Sequence, residues 1–569
     1  MAQKISPSFY EEICNSSASH LIGDWIFSSH AFPSTISKNK EYEHVIRNLQ
    51  IKIKERNKFL QNEEVIKVKQ LIPRYLEDVL NLILAKEPKI VGFSTNFQQT
   101  CASIAIANLI KKANPDIFLV LGGYNCSQVM GQALLEISPS IDYVFSGEAD
   151  FEFLRFCSNI LKNKFSKNRF INCLPIENLN LLPYPDFSDY FNQIEDLGFE
   201  NEFLHACFEG SRGCWWGSSS HCLFCGVNGA YLKFRQKTPE RVQKEINFLL
   251  KKNGIEMLFA TDAIMAEKFP STLFKEFKKP FKLKSISYEV RPIFTFEELY
   301  FLKKKGINSL QPGIETLNNH LSNLLNKRLR TLNNIRFLRD CRTLGIILHW
   351  NFLYGVPGET QEDYRKMVKI LPSLYHLQSP ERLNRLRIQR FSPLFDDAEK
   401  YRIKNLRPAK GYSYLFPENT NFQNLALYFQ GEYDSAFTNE ELKKTFSSSI
   451  HKWQNLWENH PPCLSLIHLT DEFYLVEDSR PVSQANFQII EDGHFKLLKT
   501  LREPFEEINL KSFVKSHDLS REFEELLDWG YILNLNKKFL SLIIEPMRVI
   551  EHNRNFKLWD MKFQIGRKE

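Results

Sequence analysis

The sequence predicts an α/β protein in three parts: a parallel strand–helix unit, a (β/α) barrel, partial or full, and a winged-helix-like end. Three observations carry that expectation. Short apolar runs alternate with segments of helical period over 90–147 and again over 200–420. The ends of those runs are rich in Gly, Ser and Asn in the first stretch and in carboxylates in the second. Near the end, two helical segments precede two apolar runs split by a polar loop, the pattern of helices followed by a hairpin. At 569 residues the chain is long enough for several domains.

Composition excludes several classes. Apolar residues at 43% and charged residues at 25% fit a globular chain that buries real cores, not a disordered chain, collagen or a coiled coil. The net charge of +7 is spread along the sequence, which disfavours a nucleic-acid binder. Lys303-Lys304-Lys305 before Gly306 reads as a solvated helix end. No apolar run reaches the roughly 18 residues of a membrane helix, and Met1–Ser6 show no signal-peptide core. The expectation is a soluble, cytoplasmic protein without a membrane partner. Eleven cysteines, most of them single, argue against a secreted disulfide scaffold.

In order along the chain, residues 1–75 read as a mostly helical, polar segment. Apolar residues over 61–85 fall near helical spacing, and Pro73 is expected to open a second helix. Residues 76–190 form the first α/β domain, with strands at Ile90–Ser94, 117–121 and 141–145 and helices at 101–112 and Val129–Ile137. Parallel sheets of this kind bind ligands beyond the carboxyl ends of their strands. Ser94, Asn96, Gly122, Gly123, Ser146, Gly147 and Glu148 are therefore candidate ligand contacts, although tight turns require the same small residues. Leu182-Pro183-Tyr184-Pro185-Asp186 marks the end of this domain.

Residues 200–425 read as the barrel, with strands at Met257–Ala260, Ser285–Val290, 309–314 and 347–353 and helices at Pro239–Lys251, 296–305 and 332–344. A barrel site lies at the carboxyl ends of its strands, where Asp262, Glu289, Arg291, Gln311, Glu315, Asn351, Tyr354 and Gly355 gather. Residues 426–569 form the last part, with a strand at 473–476, helices near 495–501 and 522–527, and a hairpin over 531–543.

The sharpest signal is a run of three cysteines. It reads Ser211-Arg212-Gly213-Cys214-Trp215-Trp216-Gly217 and, after three serines, His221-Cys222-Leu223-Phe224-Cys225-Gly226. Two cysteines separated by two residues place both thiolates on one metal or cluster. Gly213 and Gly217 give the third, Cys214, a flexible loop with which to reach inward. The sequence has no second pair to complete a four-cysteine zinc site. Two assignments stand: zinc on three cysteines and His221, or a four-iron cluster on three thiolates with one iron open to substrate. The position ahead of a barrel and the Trp and Phe residues among the ligands favour the cluster.

This segment resembles the cluster loop of the radical S-adenosylmethionine superfamily, with Phe224 just before the last cysteine. The seven residues between Cys214 and Cys222 depart from the common spacing of three. The run through Gly226-Val227-Asn228-Gly229 resembles a subfamily that matures ribosomally made peptides (RiPPs). Phe259-Ala260-Thr261-Asp262, Tyr288-Glu289-Val290, Gln311-Pro312-Gly313-Ile314-Glu315 and Leu353-Tyr354-Gly355-Val356-Pro357-Gly358-Glu359 have counterparts there. Its first domain is similar to cobalamin-binding Rossmann-like domains, which Gly92-Phe93-Ser94 and Leu121-Gly122-Gly123 fit. The Asp-x-His-x-x-Gly signature that supplies a cobalt ligand is absent.

The resemblance implies Cys214, Cys222 and Cys225 as ligands of a [4Fe–4S] cluster that binds S-adenosylmethionine, with cobalamin as methyl carrier and an external electron donor such as flavodoxin or ferredoxin. It implies Phe224, Asp262, Glu289, Arg291, Gln311, Glu315, Asn351 and Gly355 as cofactor contacts, Arg291 toward the methionine carboxylate, and Tyr354 as the residue facing the radical. The expected activity is C-methylation of an unactivated carbon in a peptide. Radical chemistry without methyl transfer and a non-catalytic, metal-stabilised binding protein are the alternatives. The acidic segment 521–528 suits a leader peptide better than nucleic acid.

Overall fold

The computed structural model describes residue 13 and residues 20–47, 62–196, 205–229, 231–251 and 255–545. Met1–Ser6 lie outside them. The chain divides into two compact units, the first of Met1–Asn178, Phe224–Leu232 and Arg387–Tyr433, the second of Leu179–Leu223, Lys233–Leu386 and Asp434–Glu569. The first break falls just before the expected proline pair. In place of a single later cut at 425, the chain returns to the first unit over Arg387–Tyr433. The reason is packing. Residues 388–389, 404–408 and 428–432 form an antiparallel sheet, and Tyr414 between them stacks on Tyr42 with ring centroids 4.8 Å apart.

The first unit opens with helices α1 (Ile22–Ala31), α2 (Ile36–Arg47) and α3 (Asn62–Leu84). Helix α3 runs through Pro73 instead of restarting there. Pro73 is exposed while Ile72 and Leu76 are buried, so the backbone bond that proline forfeits lies on the side where water replaces it.

Next come β1 (Ile90–Ser94), α4 (Thr100–Ala113), β2 (Phe118–Gly122), α5 (Val129–Ile137), β3 (Tyr143–Gly147), α6 (Asp150–Leu161) and β4 (Phe170–Cys173). The four strands are parallel and lie in the order β1-β2-β3-β4. That order never reverses, so the described sheet lacks the switch point of a doubly wound Rossmann fold. The Rossmann-like expectation holds for the strand–helix alternation and not for the strand order. Helix α1 packs on α4, where Asp24 accepts the backbone N–H of Cys101 at 2.8 Å. One face of the sheet carries Val120, Tyr143 and Phe145, covered by Phe156 and Ile160 of α6.

The second unit is a parallel half-barrel. Strands β5 (His205–Phe208), β6 (Met257–Ala260), β7 (Ser285–Val290), β8 (Ile307–Pro312) and β9 (Ile347–Leu348) pair in sequence order. β10 (Asn351–Tyr354) pairs with β11 (Arg382–Arg385), and a parallel bridge from Glu315 to Phe352 ties them on. The single strand expected over 347–353 is split because Trp350 turns into the core, 1% exposed, with its indole N–H on the Gln378 carbonyl at 3.2 Å. Neither β5 nor β11 pairs further among the described residues, so the barrel is partial. Around it lie α7 (Trp215–Ser220), α8 (Pro239–Lys251), α9 (Phe296–Lys304), α10 (Asn319–Leu324) and α11 (Thr331–Leu344). Helix α9 begins with a reciprocal cap between Thr295 and Glu298.

The chain then forms α12 (Glu440–Asn459) and an antiparallel sheet of β12 (Leu464–His468), β13 (Phe473–Asp478) and β14 (Phe487–Glu491). It ends in α13 (Asp492–Thr500), β15 (Phe505–Glu506), α14 (Glu507–Ser516), α15 (Ser520–Asp528), β16 (Ile532–Leu535) and β17 (Lys538–Ser541), with strand order β15-β17-β16. Asn536 and Lys537, at φ 54° and 61°, make the two-residue turn of the hairpin. Among the described residues no helix is long and apolar enough to cross a membrane.

Candidate active site

Parallel register decides which side chains share the concave face of the half-barrel. Cys207, Phe259, Ser287, Glu289 and Gln311 are linked across β5 to β8 and point the same way. They are half-exposed or exposed, whereas Ala206, Leu258, Ile286, Tyr288 and Leu310 on the other face are buried. The concave face is therefore open and largely polar, and its upper rim is formed by the strand ends.

The cysteine segment lies on that rim. Cys214 starts α7, and its Sγ accepts the N–H of Gly217 at 3.3 Å. Burial raises the Cys214 pKa, the Gly217 N–H opposes it, and the nearby Cys222 adds to the rise. The stretch between the two cysteines is folded, unlike the flexible loop expected. Trp215 donates to the Met265 carbonyl at 3.0 Å and Trp216 to the Asn326 carbonyl at 3.1 Å. The Asn326 amide donates back to the His221 carbonyl at 3.0 Å, and Leu223 N–H to Leu325 at 3.1 Å. The unusual spacing is thus a pinned helical turn.

Phe224 and Cys225 belong to the first unit, where Gly226 is required. A Cβ there would stand 2.1 Å from the Arg390 carbonyl, and the Tyr124 hydroxyl donates to the Gly226 carbonyl. Among the described residues no three His, Cys, Asp or Glu side chains are gathered tightly enough to hold one metal ion. A zinc at about 2.3 Å from each sulfur needs that convergence. A cluster, which offers each thiolate its own iron, tolerates wider spacing. The donor set, with two cysteines held together on an open rim, fits a cluster better than zinc.

Asp262 is 1% exposed and fully engaged: it accepts the Gly210 N–H at 2.7 Å and the Ser211 hydroxyl at 2.9 Å. Burial pushes its pKa up to about 7 against those bonds. It braces the turn ahead of Cys214 instead of offering its oxygens to a cofactor. Glu289 meets water on the concave face while protein surrounds it on most sides. Desolvation pushes its pKa up to about 7, with Lys327 opposing and Glu315 adding. Lys327 reaches Glu315 at 3.4 Å. No sequence motif pointed to Lys327, which follows α10 in a short loop. Arg291 lies over the Trp216 ring at 3.5 Å and donates through Nη2 to the Lys327 carbonyl at 2.8 Å, while its buried Nη1 has no partner. Burial lowers its pKa, and Cys222 and Cys214 act the other way.

Gln311 is exposed on the open face, and the buried Oδ1 of Asn351 also lacks a partner. Gly355, at φ 76°, turns the chain out of β10. Tyr354 packs on Phe437 with centroids 4.7 Å apart, so part of its role is structural.

The strand ends of the first unit are used differently. Ser146 Oγ accepts Gln128 N–H at 2.7 Å, Asn96 Oδ1 accepts Tyr124 N–H at 3.1 Å, and Glu148 accepts Ile176 N–H at 2.9 Å. A Cβ on Gly123 would lie 2.6 Å from the Thr95 carbonyl and one on Gly147 2.3 Å from that of Cys173. These five residues close turns. Ser94 and Gly122 pair in register and stay open, and a Cβ on Gly122 would meet only Phe145 at 3.9 Å.

Comparison with known proteins agrees with this geometry. An uncharacterized methyltransferase of Pyrococcus horikoshii is 23% identical over 315 residues, covering 52% of this chain and 67% of that protein. The anaerobic magnesium-protoporphyrin IX monomethyl ester cyclase of Rubrivivax gelatinosus is 24% identical over 319 residues, covering 52% of this chain and 56% of its own length. Two solved structures share the fold. The cobalamin-dependent S-adenosylmethionine radical enzyme OxsB with aqua-cobalamin bound has a TM-score of 0.50 at 15% identity, covering 68% of this chain and 60% of that one. The radical S-adenosylmethionine methyltransferase TsrM from Kitasatospora setae has a TM-score of 0.50 at 16% identity, covering 67% and 82%. Residues 208–371, which include all three cysteines and most of the half-barrel, match the Radical SAM superfamily. The chain therefore carries a radical SAM domain on an α/β fold with a parallel-sheet core.

Proposed function

We propose that this protein is a cobalamin-dependent radical S-adenosylmethionine enzyme that C-methylates an unactivated carbon of a ribosomally made peptide. The observation that carries the reading is the radical SAM match over an open half-barrel whose rim holds Cys214 and Cys222 in one pinned turn. Cys214, Cys222 and Cys225 would hold the [4Fe–4S] cluster. When bound, cluster and S-adenosylmethionine supply a radical able to remove hydrogen from carbon, and cobalamin supplies the methyl group. The chain's own residues do the positioning. Asp262 fixes the turn before Cys214, and Glu289, Glu315 and Gln311 offer acceptors to an ammonium or to ribose hydroxyls. Asn351 offers an acceptor that nothing among the described residues satisfies. Ser94 and Gly122 leave the carboxyl ends of β1 and β2 free for a large ligand.

Methyl transfer rests on the likeness to OxsB and TsrM and on those open strand ends. The unreversed strand order favours a second reading, radical modification of a peptide without cobalamin. Strand β14 supports a peptide substrate. Among the described residues it pairs only with β13 and exposes Phe487 and Ile489, each 63% exposed, beside Phe473. Such an edge accepts an extended leader segment. The acidic face of α15, with Glu522, Glu524, Glu525 and Asp528, repels phosphate. The test is anaerobic reconstitution with iron, sulfide and cobalamin, then reduction with S-adenosylmethionine and a precursor peptide. Bound cobalt, 5′-deoxyadenosine and a gain of one methylene mass are expected. 5′-Deoxyadenosine without cobalt selects the second reading, and the absence of both overturns the assignment.

A further inference from the structure

A chain of contacts joins Cys214 and Cys222 within the second unit. From Cys214 it passes to Trp216, whose indole N–H is held by the Asn326 carbonyl at 3.1 Å. Arg291 lies flat over the Trp216 ring, 3.5 Å from its centroid, and donates Nη2 to the Lys327 carbonyl at 2.8 Å. Asn326, next to Lys327, donates its amide to His221 at 3.0 Å, and His221 directly precedes Cys222. A guanidinium is thus clamped by the same turn that presents two thiolates, stacked on an aromatic face and bonded through one nitrogen. A second nitrogen, Nη1, is buried with no acceptor among the described residues. An unpaired buried donor is costly unless a ligand satisfies it. No carboxylate forms an ion pair with Arg291 among the described residues, so its charge is not cancelled at short range.

We propose that Arg291, clamped by Trp216 and the Lys327 carbonyl, is a positioning residue that holds a fixed positive charge and the unpaired Nη1 against the iron–sulfur cluster and thereby raises its reduction potential. The inference rests on the radical SAM reading of the three cysteines. A reduced cluster carries one more negative charge than an oxidised one. A nearby cation therefore favours reduction, more strongly where protein replaces water, and hydrogen bonds to the sulfurs act in the same direction.

The experiment uses the full chain, reconstituted anaerobically with iron and sulfide, and an EPR-monitored redox titration of the parent, Arg291→Gln, Arg291→Lys and Trp216→Leu. The expected result is unchanged iron and sulfide with the midpoint shifted to more negative potential in Arg291→Gln. Smaller shifts of the same sign are expected in Trp216→Leu, which frees the guanidinium, and in Arg291→Lys, which keeps the charge and loses the stack. A loaded Arg291→Gln cluster with the parent's midpoint overturns the proposal, as does weaker S-adenosylmethionine binding with no shift, which makes Arg291 a carboxylate ligand instead. Should Arg291→Gln lose its cluster, Trp216→Leu and Arg291→Lys decide by the same criterion. A parent that binds no cluster sinks the radical reading itself, a distinct failure.

Discussion

The two sets of strand ends in this molecule are built from different residue types and put to different uses. In the first unit, Ser146, Asn96 and Glu148 give their oxygens to backbone N–H groups of the adjoining turns, and Gly123 and Gly147 permit approaches no side chain allows. What remains free is surface without side chains, at Gly122 and beside Ser94. In the half-barrel, Glu289 stands open with its pKa pushed up to about 7, and Arg291 Nη1 and Asn351 Oδ1 are buried without partners. Buried polar groups in proteins are otherwise nearly always paired. A strand end whose polar capacity is used up serves as a cradle. One whose capacity is held in reserve can offer a ligand hydrogen bonds.

The largest expected effect tests the reserve side. Replacing Cys214, Cys222 and Cys225 together by Ala should remove all bound iron and sulfide and abolish 5′-deoxyadenosine formation, while cobalamin retention by the first unit is unchanged. Retained cluster iron would break the contrast. The converse test is Gly122→Val, which fills the open end of β2. Cobalt retention should fall severalfold with iron content and 5′-deoxyadenosine formation intact, and equal loss of both would mean that the two sets of strand ends are not functionally separate.

Asp262→Ala strands the Gly210 N–H and the Ser211 hydroxyl in a buried turn and should cost about 2–4 kcal/mol in denaturant unfolding, with lower iron occupancy. Asp262→Asn keeps an acceptor and should cost less. A smaller effect concerns pH. Glu289 holds its proton up to about 7 in the folded protein, against 4.5 ordinarily. The folded state binds that proton more tightly than the unfolded one, so its contribution to stability is complete below about 4.5, declines as pH rises to about 7 and is flat above. Glu289→Gln should remove that slope from unfolding curves measured across the window, and an unchanged slope refutes the shift. Smallest in stability is Ile489→Asp on the exposed edge of β14, expected within about 0.5 kcal/mol of the parent yet weakening precursor-peptide binding measured by fluorescence anisotropy.

Local pattern made much of this legible. Ser285–Val290, Pro239–Lys251 and Val129–Ile137 stand where the apolar period places them, because strand and helix periods are set by immediate neighbours. The cysteine spacing alone marks the segment that folds onto the rim. Other features were not readable. Asp262 looked like a cofactor contact and is a brace, since whether a carboxylate is free depends on Gly210 and Ser211 reaching it across the barrel. Pro73 read as a break because the pattern does not say which side of α3 faces water.

By itself the sequence determined the strand–helix alternation, the cysteine triplet and the final hairpin, all products of residues adjacent or a few positions apart. Only the tertiary structure decided that Arg387–Tyr433 rejoins the first unit, that its sheet runs without reversal, and that Arg291 lies on Trp216 with Lys327 beside Glu315. Those outcomes depend on chain segments far apart in sequence, where burial and pairing are settled by shape and charge in three dimensions and leave no periodic trace in one.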